Sequence, residues 1–108
     1  MYNEQDFSIL SRMIRETIPE TCRIILFGSY AKDSAVKESD IDILILTTDE
    51  LERHRRLELL TKLRWQTAKA GYKTDFMLKS LTEFEESLSK PTMAKAIHEE
   101  GMLLWKTS

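Results

Sequence analysis

Two short groups of residues have the types and spacing that phosphate and metal chemistry need. Gly28-Ser29 follows the apolar run Ile24-Ile25-Leu26-Phe27, and Asp40-Ile41-Asp42 leads into a second apolar run, Ile43-Leu44-Ile45-Leu46. Apolar runs of this length, bounded by turn formers, read as buried strands. Side chains on a strand alternate between its faces, so Asp40 and Asp42 point one way while Ile41 and Ile43 point the other. Two carboxylates side by side repel each other and are stabilised by a shared cation. An all-oxygen donor set of this kind suits Mg2+. The glycine allows a phosphate to approach the backbone closely, and the serine adds a short hydroxyl donor. A helix starting at that point would present free N–H groups to the same anion. A lone Ser-Asp-x-Asp can be no more than a turn that caps a strand. The order and spacing of both groups between two apolar runs carry the reading.

The pattern Gly28-Ser29, Ala31, then Ser39-Asp40-Ile41-Asp42 before an apolar strand resembles the signature of the polymerase β-like nucleotidyltransferase superfamily. The length of 108 residues points to its minimal, MNT-type branch. The chain departs from the family pattern at two positions. Lys32 stands where arginine is usual, which keeps the charge. Asp33 stands where glycine is usual, and aspartate tolerates a left-handed backbone better than most residues. The resemblance implies a third catalytic carboxylate on a later strand, and Asp75 in Tyr72-Lys73-Thr74-Asp75-Phe76-Met77-Leu78 is its natural place. It further implies nucleotide binding at Gly28, Ser29, Lys32 and Ser39, with Asp40, Asp42 and Asp75 holding one or two Mg2+ ions and performing catalysis. ATP is the implied substrate. The expected fold is α/β (α+β): a small mixed sheet flanked by helices, in a single minimal nucleotidyltransferase domain over residues 1–108.

Those residues need a scaffold, and the hydrophobic pattern supplies one. Phe7, Leu10, Ile14 and Ile18 form a stripe at helical spacing between Asn3, a capping residue, and Pro19, a stop. Arg23 to Phe27 reads as a strand apolar on both faces. A short helix is expected within Ser29–Val36, and Ile41 to Leu46 forms the next strand. A long helix from about Glu50 to Ala70, capped by Thr48 or Asp49, is expected to bury Leu57, Leu60 and Leu63, with Leu59 and Ala68 widening that face. Trp65 is read first as covering the edge of the core and second as an anchor for a partner. Arg53, Arg55, Arg56, Lys62, Arg64 and Lys69 form a basic run on this helix, read first as a solvated face and second as a grip for an acidic partner or RNA. Lys73 to Leu78 is a strand, and Ser80 with Glu83 forms a capping-box pattern for a following helix. Pro91 begins another helix that Gly101 ends. Met102-Leu103-Leu104-Trp105 is a last strand or a packed tail.

The bulk composition excludes several classes. Apolar residues make up 42% and the net charge is −2, so no global positive field gathers nucleic acid, and direct nucleic-acid binding is not expected. The single cysteine, Cys22, rules out an internal disulfide and is expected to be a small buried hydrophobe in a reducing, cytoplasmic setting. No apolar run approaches the length of a membrane span, and the polar N-terminus is unlike a signal peptide. His54 and His98 stand alone, without zinc-ligand spacing. There is no Walker phosphate loop, and Gly28 lacks the partner glycines of a dinucleotide fingerprint.

The resemblance implies transfer of AMP from ATP onto a protein hydroxyl. Larger members carry extra acceptor-binding domains, so a chain this short implies an acceptor surface on another protein. Minimal members of this kind typically pair, as antitoxins, with a helical HEPN-type RNase toxin. Two other functions fit the residues. One is a non-catalytic module that blocks its partner sterically. The other is an aminoglycoside-type small-molecule nucleotidyltransferase acting as a homo-oligomer.

Overall fold

A computed structural model describes residues 1–107. Asn3 opens the first helix, α1 (Glu4–Thr17): its side chain accepts the Gln5 and Asp6 N–H groups, and the Asp6 carboxylate accepts the Asn3 N–H. Three strands and a one-turn helix follow in the expected order: β1 (Thr21–Phe27), α2 (Gly28–Ala31), β2 (Ile41–Thr47) and, after α3 (Arg53–Lys69), β3 (Thr74–Ser80). Two short helices, α4 (Leu81–Ser87) and α5 (Met93–Glu100), lead to β4 (Met102–Lys106). The Met102–Trp105 segment is therefore a strand.

The four strands form one mixed sheet in the order β3-β2-β1-β4. β1 runs antiparallel to both β2 and β4, while β2 and β3 are parallel. The parallel pair needs a crossover, and α3 supplies it. Helices cover both faces. On one, Leu10 and Ile14 of α1 and Leu60 and Leu63 of α3 pack with Ile24, Leu26, Ile41, Ile43, Ile45, Phe76 and Leu78. On the other, Phe84 of α4 and Ala94 and Ile97 of α5 pack with Cys22, Ile25, Leu44 and Leu46. This explains why residues 24–27 of β1 and 43–46 of β2 are continuous apolar runs rather than alternating. Cys22 is buried, and burial first of all pushes its thiol above its ordinary range. Ser80 caps α4 by accepting the Glu83 N–H at 3.1 Å.

α3 differs from the expectation. It begins at Arg53, and Glu52 is its cap, accepting the His54 and Arg55 N–H groups. Asp49 is engaged earlier, its carbonyl accepting the Thr47 hydroxyl. Leu60, Leu63 and Thr67 face the core, whereas Leu57 is 61% exposed, Trp65 64% exposed and Ala68 exposed. The buried stripe runs i, i+3, i+7, and Leu57 and Trp65 fall off it on the solvent side. Trp65 instead lies under the Lys69 ammonium, 4.9 Å from the ring centre. The basic run is largely solvated, apart from Arg55 paired with Glu20 and Arg56 donating to the Leu78 carbonyl. Among the described residues no helix is long and apolar enough to cross a membrane.

Candidate active site

The parallel β2–β3 register sets Asp42 directly beside Asp75. Residues paired in register on neighbouring strands share a face. Both carboxylates therefore lie on the sheet face that carries Leu44 and Leu46. Asp40, two residues before Asp42, joins them at the rim where β2 begins, and the Ile41 N–H donates to the Lys73 carbonyl at 2.8 Å to close the ladder there. Asp75 and Asp40 are exposed and Asp42 is half-buried.

Electrostatics ties the three together. The Asp42 carboxyl is pushed above its ordinary value, by burial first, then by the charge of Asp75, then by that of Asp40. A half-buried carboxylate with two like charges beside it marks a site short of positive charge.

Gly28 bounds the site. It is left-handed, with φ +71°, and follows Phe27, which is the β1 register partner of Asp42. A Cβ added at position 28 would lie 3.0 Å from Asp42 Cγ and closer still to Oδ2. Only glycine leaves room for that carboxylate. The loop beyond is held by its own polar groups. The Ser29 carbonyl accepts the Ser34 N–H at 2.9 Å, and the Ser39 hydroxyl accepts the Val36 N–H at 2.9 Å. Asp33 adopts φ +56°, the left-handed conformation that aspartate tolerates.

The predicted site residues thus separate into groups. Asp40, Asp42, Asp75 and Gly28 meet at one rim of the sheet, and Ser29 follows directly on Gly28. Ser39 organises the loop that leads to Asp40. Lys32 is paired, its ammonium 3.1 Å from the Glu100 carboxylate. One neighbour escaped the sequence reading: Lys73, whose Nζ lies 4.0 Å from Asp40 Oδ1 and 3.3 Å from the Glu38 carbonyl. Its position two residues before Asp75 was the available signal, because alternation sends both side chains to one face.

The donor chemistry fits a hard divalent cation: three carboxylates, oxygen atoms only, with Asp42 made costly to ionise by burial and then by the other two. Among the described residues no three acidic, histidine or cysteine side chains are already gathered into a ligand shell.

Residues 9–104 match the family model described as the nucleotidyltransferase domain. The chain belongs to this nucleotidyltransferase family. Among curated relatives it is similar to the protein adenylyltransferase MntA of Shewanella oneidensis, 42% identical over 52 residues that cover 48% of this chain and 37% of MntA. The matched part is thus well under half of that relative. A candidate protein adenylyltransferase of Methanocaldococcus jannaschii is 34% identical over 86 residues, 77% of each chain. Among solved structures it resembles a chain in the complex of a tri-AMPylated Shewanella oneidensis HEPN toxin with MNT antitoxin. That match has 27% identity and a TM-score of 0.58, and it covers 97% of this chain and 74% of the other. This nucleotidyltransferase therefore shares its mixed sheet with a toxin–antitoxin component.

Proposed function

We propose that this chain is a Mg2+-dependent nucleotidyltransferase that moves AMP from ATP onto a hydroxyl of a partner protein. In this reading it acts as the antitoxin of a HEPN-type toxin in the cytoplasm. The observation that carries the proposal is the in-register Asp42–Asp75 pair, with Asp40 beside it and Gly28 pressed against Asp42. The names of the two relatives and the AMPylated toxin in the similar complex support the choice of adenylyl group and acceptor.

Asp40 and Asp42, with Asp75, would hold the divalent cation, which when bound neutralises charge on the triphosphate oxygens. Gly28 and Ser29 hold the phosphates, Gly28 by close backbone approach and Ser29 through its hydroxyl. Asp75 orients the acceptor hydroxyl and takes its proton on a carboxylate oxygen. The acceptor oxygen then bonds to the α-phosphorus, the bond from that phosphorus to the β-bridging oxygen breaks, and pyrophosphate leaves.

The test is intact-mass analysis of a HEPN toxin incubated with this chain, ATP and Mg2+. The expected result is a gain of whole adenylyl groups, lost with Asp42→Asn. Toxin neutralised with no change in mass would overturn the catalytic reading and leave a binding module.

A further inference from the structure

The acidic rim carries its own cation. Lys73 precedes β3 by one residue, and its carbonyl accepts the Ile41 N–H, which lays it alongside Asp40. Its ammonium donates to the Glu38 carbonyl at 3.3 Å and lies 4.0 Å from Asp40 Oδ1. Its backbone is pinned from the other side. The Lys73 N–H donates to the Tyr2 hydroxyl at 3.1 Å, and that hydroxyl donates to the Gly71 carbonyl at 3.0 Å. Tyr2 is itself fixed in an aromatic cluster with Tyr30 and Tyr72. Among the described residues, Lys73 is the one cation in an ion pair with any of the three site aspartates. The backbone is thus held while the side chain stays 60% exposed. An exposed, long pair of this kind is weak and screened by salt, so it is easily given up.

We propose that Lys73 is a tethered counter-ion of the acidic site. It neutralises Asp40 while no metal is present, and a divalent cation must displace it from Asp40 to bind. The inference rests on the reading of Asp40, Asp42 and Asp75 as a cation site. Its consequence is selective. Lys73 lowers affinity for a cation arriving alone, because the cation loses the Asp40 pairing and meets a like charge. Lys73 is a positioning residue in this scheme, acting through the Asp40 carboxylate.

The test titrates the whole chain with Mn2+ alone, without nucleotide, and follows free Mn2+ by electron paramagnetic resonance. Lys73→Met is expected to bind Mn2+ about two- to five-fold more tightly than wild type at low salt, the range of one exposed ion pair. The two should converge near 1 M salt, where screening acts within a few ångströms. Lys73→Arg should keep the wild-type affinity. Lys62→Met makes the same charge change on the exposed side of α3, across the sheet, and should leave affinity unchanged. Equal Mn2+ affinity for wild type and Lys73→Met overturns the proposal while leaving the cation site standing. Binding that is absent, or that Asp42→Asn leaves intact, overturns the cation site itself and the proposal with it.

Discussion

Gly28 and Gly71 make a controlled pair for measuring how much of the site is a steric agreement between one glycine and one carboxylate. Both are left-handed, with φ +71° and φ +94°. A Cβ at Gly71 meets nothing within 4 Å, whereas a Cβ at Gly28 runs into the Asp42 carboxyl. Gly71→Ala therefore carries the backbone penalty alone, about 1–2 kcal/mol. Gly28→Ala carries a similar penalty and must also force Asp42 off its rotamer, about 0.5–1.5 kcal/mol more. For a domain of this size each kcal/mol lowers Tm by roughly 4–8 °C. The assay is thermal unfolding of both variants with and without ATP and Mg2+. Gly71→Ala should lose stability but keep the full ligand-induced rise in Tm. Gly28→Ala should lose more and show no rise, because its damage falls on Asp42. In the double variant Gly28→Ala/Asp42→Ala, the destabilisation beyond the backbone penalty should disappear. Equal losses in the two glycine variants, with equal ligand response, would refute the reasoning.

Other outcomes follow from the same structure. The Asp42 carboxyl is raised above its ordinary 3.8. A raised carboxyl favours the fold below that value, and the contribution fades as pH climbs through the folded-state pKa. Metal-free Asp42→Asn should therefore be more stable than wild type at pH 7. The gain should shrink toward pH 3.5 in urea unfolding with a chelator present, and a variant less stable than wild type at pH 7 would contradict this. Leu63 is fully buried and Trp65 is not, so Leu63→Ala should cost about 2–5 kcal/mol while Trp65→Ala stays within about 0.5 kcal/mol. Denaturant midpoints would show a reversal at once. Phe84→Ala empties the core between α4, α5 and the sheet and should cost about 3–5 kcal/mol.

Much of the scaffold was legible because its signals are local. Asn3, Pro19, Ser80 and Gly101 punctuate the chain where the elements start and stop, and the apolar runs at Ile24 and Ile43 could only be strands covered on both sides. Leu57 and Trp65 were misplaced because α3 carries more apolar residues than its core stripe can bury. Periodicity alone does not say which of two neighbouring stripes faces the sheet. The start of α3 was missed because glutamate is a less usual cap than Thr48 or Asp49. At the site, Asp40 and Asp42 declared themselves by alternation. The place of Asp75 depended on the β2–β3 register, a long-range property that no local pattern encodes and that only the family resemblance supplied. Alternation could set Lys73 on the face of Asp75, but its pairing with Asp40 and the Lys32–Glu100 pair join residues 33 and 68 apart in sequence, which no sequence window spans.

The most direct measurement is a crystal structure of the chain with Mg2+ and a non-hydrolysable ATP analogue. It should show the ion bound by oxygens of Asp40 and Asp42 at about 2.1 Å, with the triphosphate against Gly28 and Ser29 and the α-phosphorus facing Asp75. A nucleotide bound elsewhere, or a metal that leaves Asp42 untouched, would contradict the account.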